Sequence, residues 1–280
     1  MQQLDNFCEI VEIFSDDKTL VPKIKAVSEK LKNSLIDAVK ELHPEHVFKV
    51  PEEKSQACIQ FLQEYLNKNG LVFSTNYDLL LYWVLMRNGA DNAIDGFGRD
   101  LETDLDDGHY VEPDDLEYSE LRWGKYKEEQ TVYYLHGTLP IFDTGINIVK
   151  AQYDEEHYLL QNVKDRIDKK EYPIFVTAGN GKEKLTHIMH NKYLSFCYDQ
   201  LCNIEGSLVT FGFNFGEYDT HIIDAINVAA KMGRKIPDKL WSVYIGVYSD
   251  ENLKHIIEIK DKFKCKVTPY NARTANIWGT

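Results

Sequence analysis

Leu71-Val72-Phe73-Ser74-Thr75-Asn76-Tyr77-Asp78-Leu79-Leu80-Leu81-Tyr82-Trp83 is the stretch that decides the fold class. Its first five residues are a short apolar run ending in hydroxyls, the pattern of a buried strand. From Asp78 to Arg87 the pattern turns helical and strongly apolar, with Leu79, Leu80, Leu81, Trp83, Val84 and Leu85. A strand, a polar turn and a buried helix in thirteen residues predict an α/β unit.

The same alternation continues downstream. Strands are predicted at Thr131 to Leu135, Tyr172 to Val176, Ser207 to Phe213 and Trp241 to Val247, with a last short one around Val267. Helices are predicted after Gly179-Asn180-Gly181, from about Asp219 to Met232, and from Glu251 to about Phe263. The strands are apolar on both faces, which predicts one parallel sheet covered by helices. Upstream, Leu20, Ile24, Val27, Leu31, Leu35, Val39 and Leu42 recur at helical spacing, and the helix should stop before Pro44. A second amphipathic helix spans about Glu52 to Asn67, and Asn69-Gly70 supplies its stop signal. The expected organisation is a helical part over 1–69 and an α/β core over 70–280. Asp100 to Glu117, with nine acidic residues and no lysine or arginine, is expected to be an exposed loop.

Composition removes several function classes. The 280 residues carry a net charge of -13, which repels phosphate backbones and argues against nucleic-acid binding. No stretch approaches the ~20 apolar residues of a membrane span, and Met1-Gln2-Gln3-Leu4-Asp5 does not open like a secretory leader. The expected location is the cytoplasm. Five scattered cysteines without a Cys-x-x-Cys pair argue against a disulfide framework and a zinc ribbon. His43 and His46 are separated by Pro44, and His187 and His190 have no nearby carboxylate, so no metal is expected. No Gly-x-Ser-x-Gly elbow is present.

In α/β proteins ligands gather beyond the carboxyl ends of the strands. Three such ends carry clustered polar residues: Ser74 to Asp78, His136-Gly137, and Gly212 to Asp219. Asp78 suits a helix cap, which leaves Asn76 without a local task. His136 is either a satisfied structural residue or a general base. Gly212 and Gly216 fit a tight turn, and Glu217 or Asp219 can cap the next helix.

Together these segments carry a resemblance. Phe73 to Trp83, Asp95-Gly96-Phe97, Val132-Tyr133-Tyr134-Leu135-His136-Gly137 and Gly212 to Asp219 resemble, in order and spacing, the sirtuin-like superfamily. More narrowly, they are similar to a bacterial family of unknown function related to the sirtuin-like NAD-cleaving proteins of phage defence. Tyr172 to Leu194 and Tyr270 to Gly279 resemble the same family. The resemblance implies a Rossmann-like, sirtuin-type fold and a NAD glycohydrolase with Asn76 and His136 as catalytic pair. It implies cofactor contacts from Thr75, Asp78, Gly137, Gly212, Asn214, Glu217 and Asp219, with NAD as substrate. It also implies homo-oligomers or a second defence protein as partner.

Two departures qualify what it implies. The four-cysteine zinc module of deacylase sirtuins is absent, which disfavours deacylation. No strand with a Gly-x-Gly-Phe-Ser-type turn precedes Gly70. Such a turn cradles pyrophosphate. A member without it is expected to bind NAD poorly and to lack a central strand. The alternative expectation is therefore a non-catalytic nucleotide-binding or regulatory module.

Overall fold

A computed structural model describes residues 46–102, 117–153, 158–176, 179–231 and 239–278, with scattered positions before residue 45. Helix α1 (Glu52–Leu66) leads into β1 (Val72–Ser74) and α2 (Leu80–Arg87). Short strands β2 (Phe97–Gly98), β3 (Leu101–Glu102), β4 (Glu117–Tyr118) and β5 (Leu121–Trp123) come next. Then come β6 (Val132–Tyr134), β7 (Gly137–Asp143), β8 (Ile148–Lys150), α3 (Leu159–Asp168) and β9 (Pro173–Phe175). The last third holds α4 (Gly181–His190), α5 (Lys192–Cys202), β10 (Gly206–Thr210), α6 (Thr220–Ala229), β11 (Leu240–Val247), α7 (Asp250–Ile259) and β12 (Lys266–Asn271).

The architecture is α/β, but the strands do not form the single parallel sheet expected from their apolar runs. β1 and β6 make a parallel pair, and β10, β11 and β12 make a parallel trio. A five-stranded sheet in the order β2-β5-β8-β7-β9 is antiparallel at every pairing. The expected parallel strand at Tyr172 to Val176 is β9, which runs antiparallel to β7. An apolar run signals burial on both faces and says nothing of pairing direction. The strand expected over Ser207 to Phe213 ends at Thr210. The acidic stretch is not loop throughout, because β3 and β4 pair at its two ends; 103–116 lies outside the described residues. Of the first expected helix, 20–27 are helical and much of the remainder lies outside the described residues.

Among the described residues, two apolar cores hold these layers. One gathers Val132, Leu135, Ile188, Leu194, Ile222, Ile226, Val243 and Ile245, joining both parallel sheets to α4, α5 and α6. The other packs Leu79 and Trp83 of the β1–α2 unit against Leu139, Phe142 and Val149 and against Leu159, Val163 and Ile167 of α3. The Asp95-Gly96-Phe97 turn is structural. Asp95 forms an ion pair with Lys150, and a Cβ on Gly96 would stand 2.4 Å from Gln130 Oε1.

Among the described residues β1 pairs with β6 alone and β10 with β11 alone. Their open edges line a cleft of about 640 Å³ whose walls include Phe61, Phe73, Asn76, Gly212, Phe213 and Trp278.

Candidate functional site

The register of β1 on β6 places the site. Ser74 lies opposite Tyr134 in the parallel ladder. Asn76 and His136 each stand two residues beyond that pair, so both leave the carboxyl end of the sheet from equivalent positions. The turn after β1 is tied down locally. The Asn76 N–H donates to Ser74 Oγ at 3.1 Å, and Asp78 Oδ1 accepts from the Leu80 N–H at 2.8 Å; the N-cap is Leu79, without a side-chain cap, so Asp78 steadies the turn one residue ahead of the capping position expected of it. Thr138 Oγ1 donates to the Tyr77 and Asp78 carbonyls at 3.1 and 2.9 Å, and Tyr77 Oη donates to the Val176 carbonyl at 2.8 Å.

His136 is only 3% exposed. The chain turns sharply after it, because Gly137 has φ +80° and passes directly under β9. A Cβ at Gly137 would lie 1.8 Å from the Ile174 carbonyl oxygen. The glycine of Leu-His-Gly is thus required by a neighbouring backbone. The Tyr77 ring stacks beside the imidazole, with centroids 6.2 Å apart.

The partner of His136 comes from the far end of the chain. His136 Nε2 lies 2.8 Å from His221 Nε2, and His221 is 1% exposed on the first turn of α6. That turn is fixed from two sides. Tyr198 Oη on α5 donates to the His221 carbonyl at 2.9 Å, and Gly181 packs so closely that a Cβ there would meet Thr220 Oγ1 at 2.0 Å. Asn180 starts α4 with a reciprocal capping box, its Oδ1 accepting from the Glu183 N–H at 3.1 Å while Glu183 Oε2 accepts from the Asn180 N–H at 2.8 Å. One residue further on, buried Lys184 donates from Nζ to Asp219 Oδ1 at 2.8 Å. Asp219 stands at the start of α6 but makes no side-chain cap there, contrary to the expected capping role; Lys184 has taken its carboxylate. One donor atom from each of His136, Asp219 and His221 lies within 4.8 Å of the other two.

Burial dominates the electrostatics of the pair. Burial pushes His136 down to about 4; the Asp219 charge opposes this, the Lys184 charge adds to it, and a hydrogen bond with the Thr75 backbone opposes it. Burial likewise pushes His221 down to about 4, with His136 adding and Asp219 opposing. Both rings are neutral at pH 7. Two neutral rings that face each other through Nε2 share one proton, so one ring donates to the other across the 2.8 Å contact. With His221 as the donor, His136 Nε2 presents a lone pair. His221 Nδ1 is left bare, buried and without a hydrogen-bond partner.

The other expected residues divide into three groups. Thr75, Asn76, Asp78 and Gly212 line the cleft between β1 and β10. Asn214 faces α7, where its carbonyl accepts from His255 Nε2 at 3.0 Å, and Glu217 is exposed on the turn before α6. Asp219 joins His136 in the buried cluster. His187 and His190 are exposed on α4, and His190 Nδ1 bonds to its own helix at the Thr186 carbonyl, 2.7 Å away. Sequence reasoning assigned no role to His221 or Lys184. The one available signal was a histidine set into the otherwise apolar start of α6, Thr220-His221-Ile222-Ile223.

The sequence matches the family described as "Domain of unknown function (DUF4917)" over residues 9–278. The chain belongs to that family. No curated protein matches it. The DUF4917 match runs through β1, β6 and α6, so all the residues that meet at His136 fall within it.

Proposed function

We propose that the chain hydrolyses the N-glycosidic bond of NAD to nicotinamide and ADP-ribose, in a sirtuin-like manner, and that it serves in defence against phage. The observation that carries this reading is the common exit of Asn76 and His136 from neighbouring parallel strands, with Asn76 on the wall of an aromatic cleft of about 640 Å³. That volume is in the range of small-molecule sites, and Phe61, Phe73, Phe213 and Trp278 offer flat faces to a base or nicotinamide ring.

The chemistry asks little of the protein. Water attacks C1′ of the nicotinamide ribose as the C1′–N bond breaks, and the bonding pair neutralises the departing nicotinamide ring. The attacking water loses its proton to His136 Nε2, whose neutral lone pair suits a general base at pH 7. Asn76, exposed on the cleft, orients the ribose or the water. His221 holds the same lone pair at 2.8 Å and has to swing away before substrate reaches it.

That closed contact favours a second reading, a non-catalytic nucleotide-binding module with His136 permanently shielded. Nicotinamide release by the purified chain separates the two. The expected result is release that falls more than about 100-fold in Asn76→Ala and in His136→Ala, the scale of general-base removal. Release unaffected by either substitution overturns the assignment. No release at high enzyme concentration, with a thermal shift on adding NAD or ADP-ribose, supports the non-catalytic module.

A further inference from the structure

We propose that His136, His221 and Asp219 form a binding site for one divalent transition-metal ion of the zinc class. The donor set is two imidazole nitrogens and a carboxylate oxygen, with a fourth position left for water. That set suits zinc, cobalt or nickel and is poor for magnesium or calcium, which prefer oxygen throughout.

Three observations point to an ion. The first is the facing of two Nε2 atoms at 2.8 Å in a buried site. One proton holds them together in the metal-free chain. Two nitrogens bound tetrahedrally to zinc at ~2.0–2.1 Å stand about 3.3 Å apart, so the rings need part only by about half an ångström. The second is the outer shell. Metal-bound histidines commonly donate their second nitrogen to a carbonyl, and metal-bound carboxylates are themselves hydrogen-bonded. Asp219 has Lys184 on Oδ1, leaving Oδ2 for the ion. The third is His221 Nδ1, buried with no partner. In the metal-free tautomer it is a bare acceptor; with the ion on Nε2 it carries the displaced proton, as neutral imidazole ligation requires. The proton between the rings moves to His221 Nδ1 as the cation takes its place, and none is released.

Occupancy has one consequence, which rests on the NAD-hydrolase reading: the ion takes the lone pair that the base needs, so zinc inhibits nicotinamide release. Lys184 limits affinity, because an ammonium beside the ligating carboxylate repels the incoming charge.

The test uses the full chain stripped with a chelator and then titrated with Co2+ and with Zn2+, in the absence of NAD. The expected result is one equivalent retained after gel filtration, with the visible absorption of four-coordinate Co2+ that Zn2+ bleaches. His221→Phe, which keeps the buried volume, and Asp219→Asn, which keeps the shape, should each weaken binding more than about 100-fold, beyond the loss of an outer-shell partner. The double variant His187→Ala/His190→Ala should bind as the parent does. No retained ion in the folded parent overturns the proposal. So does retention that survives His221→Phe or vanishes with the α4 histidines, since the ion then sits on the surface. Ion binding, together with no nicotinamide release by the chelator-stripped chain, leaves the metal site standing and removes the hydrolase reading instead.

Discussion

Asn76 and His136 occupy matching positions on adjacent strands, and their surroundings are opposite. Asn76 is exposed on the cleft, whereas His136 is 3% exposed and held through Nε2 against His221. The strands are alike, and the elements after them differ. After Asn76 the chain enters a short turn into α2, held by Asp78. After His136 it continues through a positive-φ glycine into β7 beneath β9. Position in the ladder brings the two residues to the same edge, and the next element sets how much water each one meets.

The sharpest way to break this comparison is at the two glycines on its two sides. Gly137→Ala drives a Cβ into the Ile174 carbonyl at φ +80°. We expect a loss of about 3–5 kcal/mol, from the left-handed backbone and forced overpacking together, read as soluble yield and urea midpoint. Gly212, at the cleft, also has positive φ (+67°), but a Cβ there would have nothing within 4 Å. Gly212→Ala should therefore cost only about 1–2 kcal/mol. Equal losses at the two positions would mean that β9 does not press on the closed side.

Acid probes the closed side next. Unfolded, the two histidines titrate near the ordinary 6.5; folded, burial holds them near 4. Between those values the unfolded chain binds protons that the folded chain refuses. This contribution to stability is intact above about pH 6.5 and is lost as pH falls toward 4, by on the order of 3 kcal/mol for one imidazole. Asp219 and Lys184 face the pair with opposite charge effects, and Tyr77 beside them stays neutral. Urea midpoints of chelator-treated protein across that window measure the effect. His221→Phe should flatten the slope, and an unchanged slope would place the titrating groups elsewhere.

The smallest effect is expected on the open side. Asn76→Ala should change stability by no more than about 0.5 kcal/mol, as for other exposed positions, while nicotinamide release falls. A loss of stability comparable to that of His136→Ala would make Asn76 a structural residue.

The sequence discloses the two sides unevenly. The runs at β1, β6, β10 and β11 are apolar enough to show as strands, and the polar residues after them mark the carboxyl ends. The five-stranded sheet is largely hidden, because β2, β5 and β8 are too short for any periodicity and β7 carries Pro140 in its middle. β9 shows as a strand but not as an antiparallel one. Asn76 is legible because nothing local uses it. His221 is not, since its relation to His136 is made only in three dimensions, across 85 residues. Asp219 looks like a cap because the competing claim of Lys184 comes from another helix.

The contacts around His136 draw on β1 and its turn, the β6–β7 junction, Val176, α4 and the start of α6. Tyr77 alone bonds across 99 residues. On the ribosome this site is therefore completed only once the start of α6 has emerged. A nascent chain that has emerged as far as α5 carries both strand ends, yet nothing covers the Nε2 of His136 until α6 emerges. High contact order of this kind slows folding, and it leaves a partly made chain with its central imidazole open to water and to whatever ions the cell supplies.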